Sequence, residues 1–250
     1  MPSGTPSIVP RLDAVRPNRF LGALAPDDAA LLAPHLRTLW LDRGTVLHEP
    51  GGPIEQVYFP HGAMVSMVAL MQNGTSVETV TLGRAGVVGG SAALGARRGV
   101  GRAIVQLSGA ASRLPASQFH AVARESKPIR ELAIRYNDLL LAQIQQSVAC
   151  NALHALEARL CRWLLQTRDS IDGDAIPLTQ EFLGQMLGVR RTSVTVAARL
   201  LQSAGMIRYR RGQIHIVDRA ALEDLSCECY GVIRQQIDQV FLGTARGSSA

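Results

Sequence analysis

At Pro128 the texture of this sequence changes, and that change divides what the chain can fold into. From about Trp40 to Val122, glycines recur at short intervals: Gly44, Gly51, Gly52, Gly62, Gly74, Gly83, Gly86, Gly89, Gly90 and Gly95. Between them stand short β-branched and apolar runs, Thr45–Leu47, Gln56–Phe59, Met64–Val68, Ser76–Val80 and Ala103–Leu107. Such runs, set between turn signals, predict a β-sandwich or roll. Asn73-Gly74 predicts a type I′ hairpin turn, whose two central residues both need positive φ. From Pro128 to about Ser147 the glycines vanish. Leu132, Tyr136, Leu139, Leu140, Ile144 and Val148 recur at three- and four-residue intervals, which predicts one long amphipathic helix with proline in its first turn. Gln143, Gln145 and Gln146 make its second half too polar for burial on every side. A coiled-coil-like homodimer seam along the six apolar residues is therefore expected.

Further along, a helix is expected from about Ala152 to Gln166, and a loop at Asp172-Gly173-Asp174. The segment Leu178–Ile216 carries the most chemistry. Thr179 is a natural N-cap, and Phe182, Leu183, Met186 and Leu187 share one face of the helix it starts. Gly188 stops that helix in a tight turn. A second helix begins near Arg190, with Val194, Ala197, Ala198 and Leu201 inward and Arg191, Thr192, Thr195, Val196 and Arg199 outward. Helix, glycine turn, helix is the helix-turn-helix arrangement. Its outward residues suit a major groove: arginine reads guanine and small hydroxyls reach phosphate. After Gly205, the stretch Ile207–Ile216 alternates around Gly212, as a two-stranded wing whose Arg208, Arg210 and Arg211 face the DNA backbone.

Charge placement agrees. The chain's net charge is +6, and Lys127 is its only lysine. From Leu178 to Arg219, seven arginines stand against Glu181 and Asp218, between mildly acidic flanks. A basic island of this kind is the footprint of a local polyanion contact. With 47% hydrophobic and 18% charged residues over 250 positions, the composition excludes a disordered chain, a collagen and a disulfide scaffold. No run reaches the roughly 18 consecutive apolar residues that a membrane span needs. Aromatics are 4% of the chain, so aliphatic and alanine packing should dominate the core. The start, Met-Pro-Ser-Gly-Thr-Pro-Ser, is unlike a secretory signal. A cytoplasmic location is expected, with Cys150, Cys161, Cys227 and Cys229 as reduced thiols.

The order of β-roll, long helix and winged helix-turn-helix, from about Phe20 to Leu225, resembles the Crp/Fnr family of bacterial transcription regulators. Leu178–Ile216 resembles its DNA-binding domain, and Gly44, Gly52, Gly62 and Gly74 resemble the spaced glycines of its cyclic-nucleotide-binding-like sensor domain. The resemblance implies an α+β chain with four parts. Residues 1–17 would be a flexible tail, 18–127 a double-stranded β-helix or jelly-roll-like sensor, 128–151 the dimerisation helix and 152–250 the winged helix-turn-helix domain. It implies a homodimer on a pseudo-palindromic promoter site in double-stranded DNA, with RNA polymerase as a further partner. Arg191 matches the family's guanine-reading arginine, and Thr179, Ser193 and Thr195 fall on positions that touch phosphate. Two positions depart from the pattern: Thr192 stands where glutamate is common, and Val196 where a second arginine is common. The half-site should differ accordingly, with Val196 available to a thymine methyl.

In the sensor half, the same resemblance calls for a glutamate on the ribose hydroxyl and an arginine on the cyclic phosphate. Gly90 stands at the glutamate position of the stretch Val88–Gly95. Gly89, Gly90, Ser91 and Arg102 are what is left of an effector site, and no cyclic nucleotide or other cofactor is expected. A different small effector stays open. No metal is expected: Cys227-Glu-Cys229 reads as two thiols on a C-terminal helix, and His48, His61, His120 and His154 as ordinary surface or core histidines. No His-x-His pair or glycine-framed nucleophile marks an enzyme. The alternative reading is a ligand-sensing regulatory module that does not touch DNA.

Overall fold

The computed structural model of the chain describes residues 16–171, 173, 175–210 and 212–242. The tail expected over residues 1–17 falls outside them except at its last two positions, and Arg211 also lies outside.

Two short helices come first, α1 (Arg19–Gly22) and α2 (Pro26–Leu32), then the strands β1 (Arg37–Leu41), β2 (Val46–His48), β3 (Gln56–Pro60), β4 (Met64–Leu70) and β5 (Ser76–Leu82). A 3-10 turn over Gly90–Leu94 leads to β6 (Arg102–Leu107) and β7 (Gly109–Pro115). Helices α3 (Ala116–Glu125), α4 (Lys127–Leu153) and α5 (Leu156–Ser170) follow. The C-terminal part runs β8 (Ala175–Pro177), α6 (Gln180–Leu187), α7 (Arg191–Ser203), β9 (Ile207–Arg210), β10 (Gln213–Ile216), α8 (Arg219–Leu225) and α9 (Cys229–Leu242).

The first seven strands form two antiparallel sheets, ordered β1-β7-β3 and β2-β6-β4-β5. Leu41, Tyr58, Val65, Val80, Val105 and Ala111 fill the space between them. This is the roll expected from the glycine-spaced runs. Strands β1 and β7 and helix α3 lie outside the runs that predicted it. The hairpin between β4 and β5 is longer than a type I′ loop. Its tight turn is Met71–Gly74, closed by Gly74 N–H donating to Met71 O at 3.0 Å, and Gly74, its last residue, takes φ +81°. Asn73 instead stays inside the loop, where its side-chain oxygen accepts from Thr75 N at 3.0 Å.

The outer face of β3 and β7 is covered by helices. Phe20, Phe59, Phe119 and Tyr136 meet there with ring centroids 5.7–6.1 Å apart, mostly edge to face. Four of the scarce aromatics are thus gathered at one point, while aliphatic and alanine side chains dominate the rest of the core, as expected. Tyr136 also fixes α4 to the roll: its hydroxyl accepts from Val87 N at 2.7 Å and donates to Val87 O at 3.1 Å.

That packing corrects the expected dimer seam. Leu132, Tyr136 and Leu139 are 2–4% exposed, inside the chain's own core. Leu140 and Ile144 lean on the roll between the sheets. Of the six residues, Val148 alone is well exposed, at 66%. The physical reason is that a roll with one uncovered sheet face claims the nearest apolar stripe of its own chain first. A second stripe stays outside, formed by Ile134 (44%), Leu141 (57%) and Val148.

The C-terminal part joins α5, α6 and α7 to the sheet β8-β10-β9. Its core holds Leu160, Trp163, Leu183, Val194, Leu201 and Ile214, and also Met64 and Leu107 from the roll. One polar group sits in this shared boundary. Glu78 of β5 accepts hydrogen bonds from Ser66, from Thr81 Oγ1 at 2.6 Å, from Trp163 Nε1 at 3.1 Å and from Gln106 Nε2 at 3.3 Å. Helix α9 then returns across α4 to the roll, where Phe241 joins the aromatic core. Arg19 reaches it, 5.3 Å from the Phe241 ring and 2.9 Å from Asp238 Oδ1.

Burial raises the Glu78 pKa above its ordinary 4.5. The stability linked to this shift is complete below the unfolded-state value and is lost as pH rises through the raised folded-state value. Glu78→Gln should remove the loss, so its stability relative to wild type should grow as pH rises above 4.5 in urea denaturation. Identical pH dependence in the two proteins would show that folding does not raise the Glu78 pKa.

Candidate nucleic-acid interface and effector site

The helix-turn-helix forms where its local signals lie. Thr179 caps α6, its hydroxyl accepting from Phe182 N at 3.3 Å. Gly188 takes φ +66° and turns the chain toward α7, whose N-cap is Arg190. Val194, Ala197, Ala198 and Leu201 are buried. On the other side Arg190, Arg191, Thr192, Ser193, Val196 and Arg199 are exposed, in the first turns of α7. Thr195 differs from the outward position expected for it. It is half-buried, and its hydroxyl lies 2.7 Å from Gln180 Oε1 and 3.0 Å from Arg191 O. Thr195 thus ties the two helices together.

The wing is set beside this face. Ile207 and Ile214 are buried while Arg208 and Arg210 are exposed, as the alternation predicts. Tyr209 anchors it: its N–H donates to Gln202 Oε1 at 2.8 Å and its hydroxyl to Leu178 O at 3.2 Å. The wing also gains a third strand, β8, which pairs with β10. On its far side α6 rests on the roll, with Gln185 Nε2 donating to Ser76 Oγ at 2.7 Å and Arg43 stacked 4.8 Å from the Phe182 ring.

The four expected effector residues are engaged elsewhere in the chain. Gly89, Gly90 and Ser91 form the turn that backs onto α4. A Cβ built on Gly90 would lie 3.2 Å from the Tyr136 ring and 3.3 Å from Val87. The space a ribose-binding carboxylate would need is filled by Tyr136. Arg102 is spent on Glu49, 2.8 Å away at the surface. A cavity of about 320 Å³ lies elsewhere, among the end of β5, α4, α5 and α9, lined by Arg84, Tyr136, Gln143, Asp169, Tyr230 and Arg234. At its wall the Tyr230 hydroxyl donates to Asp169 Oδ2 at 2.7 Å, and burial pushes its pKa up to about 12.

Three of the histidines have ordinary surroundings. His61 lies between Asn18 N (3.0 Å) and Ser112 Oγ (2.8 Å), His120 is 3.2 Å from Ala93 O, and burial lowers the pKa of His48. His154 is different. With Cys150, Cys227 and Cys229 it forms a group whose ligand atoms all lie within 4.8 Å of one another. Cys227 stands in the turn before α9, and Cys229 is the first residue of that helix. Contact between Cys150 and Cys227 pulls their thiol pKa values apart, Cys150 down and Cys227 up. Sequence reasoning saw the Cys-x-Cys pair but not its partners. The available signal was Cys150 and His154 at helical i, i+4 spacing.

Residues 158–225 match the Crp-like helix-turn-helix domain. No curated protein matches the chain in sequence. Among solved structures, FixK2 of Bradyrhizobium japonicum is similar at 15% identity and a TM-score of 0.65, covering 77% of this chain and 98% of its own. A Crp/Fnr-family transcriptional regulator of Eubacterium rectale has 18% identity and a TM-score of 0.60, over 82% and 95% of the two chains. The c-di-GMP-responsive global regulator CLP of Xanthomonas campestris has 14% identity and a TM-score of 0.60, over 77% and 99%. Among the described residues no helix is long and apolar enough to cross a membrane.

Because Tyr136 occupies the room beside Gly90, Gly90→Glu should destabilise the roll by roughly 1–3 kcal/mol through overpacking. It should not confer cyclic-nucleotide binding in calorimetry. A stable variant that binds cyclic AMP would refute this account of the turn.

Proposed function

The chain carries a Crp-like helix-turn-helix domain within the fold of the Crp/Fnr regulators, and we propose that it is a homodimeric, sequence-specific DNA-binding regulator of transcription. The observation that carries this reading is the exposed face of α7. Arg190, Arg191, Thr192, Ser193, Val196 and Arg199 project from the first turns of one helix, beside Arg208 and Arg210 of the wing. A helix N-terminus laid in the major groove presents its amides to phosphate and its side chains to base edges. Arg191 reads guanine bidentately. Arg190, Arg199 and the wing arginines hold the backbone, together with Thr179 and Ser193. Val196, 63% exposed, meets a thymine methyl.

The dimer forms along the outer stripe of α4. Ile134, Leu141 and Val148 are spaced by seven residues and exposed, the interval at which one core position of a two-stranded coiled coil recurs. A pair of such helices places two recognition helices on a two-fold axis, so the operator is pseudo-palindromic. The protein acts at promoters in the cytoplasm, in concert with RNA polymerase, and catalyses no reaction. A small effector would act through the boundary between roll and DNA-binding domain, not through a nucleotide bound at Gly89–Ser91.

Selection from a random DNA library by the protein without added ligand should return a two-fold symmetric motif with half-sites about one helical turn apart. Arg191→Ala should lose about 1–3 kcal/mol of discrimination between that motif and scrambled DNA. Binding should weaken steeply with added salt as counterions are released. No enrichment at any salt concentration, with or without cell extract, would leave a sensor module that does not touch DNA. Leu141→Arg should convert the protein to a monomer in light scattering while keeping the circular dichroism of the folded chain. A variant that remains dimeric refutes the stripe.

A further inference from the structure

The DNA-binding reading makes no use of Cys150, His154, Cys227 and Cys229, which α4 and the start of α9 bring to one point. We propose that they form a Cys3His site for a zinc ion, at the joint between the long helix and the DNA-binding domain.

The geometry suits a tetrahedral ion. Bonds of about 2.3 Å to sulfur and about 2.0–2.1 Å to nitrogen give tetrahedron edges of about 3.8 Å between sulfurs and about 3.6 Å between sulfur and nitrogen. Here Cys150 Sγ lies 3.5 Å from Cys227 Sγ, and Cys229 Sγ lies 3.5 Å from His154 Nδ1. The three sulfurs are buried. Thiolate and imidazole donors select zinc over magnesium or calcium, which prefer oxygen. An iron–sulfur cluster ordinarily takes four thiolates, and the fourth cysteine, Cys161, lies outside the group.

The surroundings supply what such a site requires. The other nitrogen of His154, Nε2, lies 3.2 Å from Glu228 Oε1. A carboxylate behind a ligating histidine fixes the ring and its tautomer, and Glu228 is placed for this by standing between the two cysteines. Gln146 Nε2 donates to Cys229 Sγ at 3.0 Å. Three thiolates, a neutral imidazole and Zn²⁺ leave one net negative charge. Arg159 and Arg162, 8% and 7% exposed, lie close enough to Cys150 to interact with its charge. The Nε atoms of both arginines are buried without a hydrogen-bond partner. Zinc binding displaces the thiol protons to solvent, so the free energy of binding adds to that of folding. The ion would staple the end of α4 to the start of α9. Arg159 Nη2, which donates to Leu187 O at the end of α6, carries that constraint to the helix-turn-helix.

The test uses the full chain purified under reductant, with metal content measured by mass spectrometry and zinc affinity by competition with a chelator. Wild type and Cys161→Ser should each hold one zinc per chain, and Cys229→Ser should hold none. Cobalt substitution should give the visible bands of tetrahedral thiolate coordination in wild type and Cys161→Ser, and not in Cys229→Ser. Glu228→Gln, which keeps every ligand, should fold like wild type and bind zinc about 10–100-fold more weakly. Several results would overturn the site: equal zinc in wild type and Cys229→Ser, iron with charge-transfer absorption in place of zinc, or a Cys150–Cys227 disulfide with no zinc uptake after its reduction. Failure of the DNA selection with one zinc per chain would overturn the regulator and leave the metal site intact.

Discussion

Helix α4 has to satisfy its own chain before it can meet another, and the architecture follows from that constraint. The roll leaves the outer face of β3 and β7 uncovered. Ile129, Leu132, Tyr136 and Leu139 close it, with the Tyr136 hydroxyl bonded to both backbone groups of Val87. Burial of such side chains is worth about 1.5–3 kcal/mol each, so this face is not free for exchange with a partner. What remains for a second copy is the opposite stripe. The same Tyr136 ring fills the room beside Gly90. The contact that anchors the long helix also leaves little room for a side chain at Gly90. In this chain the turn at Gly89–Ser91 is part of the scaffold.

How much could be read from the sequence depended on how far apart the determining residues lie. The helix-turn-helix was legible because its signals are local: Thr179 as cap, Gly188 at positive φ, and an inward set of Val194, Ala197, Ala198 and Leu201. The strands flanked by glycine were legible for the same reason. β1 and β7 were not, because Arg37–Leu41 and Gly109–Pro115 carry few turn signals and owe their form to each other, pairing across some 70 residues. Three- and four-residue periodicity located α4 but could not tell which of its two apolar stripes was already claimed. That choice depends on Phe20, Phe59 and Phe119, which come from three other elements. The Cys150–His154–Cys227–Cys229 group was hidden in the same way, its halves separated by more than 70 residues.

The boundary between the halves mixes two kinds of interaction. Met64 and Leu107 give it apolar area, which is indifferent to direction. Glu78 and Trp163 give it a directional polar contact, which holds only in one orientation. Apolar area alone would let the DNA-binding domain slide on the roll. The buried carboxylate, with its donors drawn from both sides, sets a register for the pair.

Met64 and Leu107 have one more consequence. They are strand residues of the roll, yet they complete the core of the domain that follows. A cut near residue 152 would therefore leave the C-terminal part with an open hydrophobic face. The two halves are not interchangeable cassettes. A gene fusion that moved this helix-turn-helix domain onto another roll would inherit a hole unless it also inherited the sheet surface that fills it.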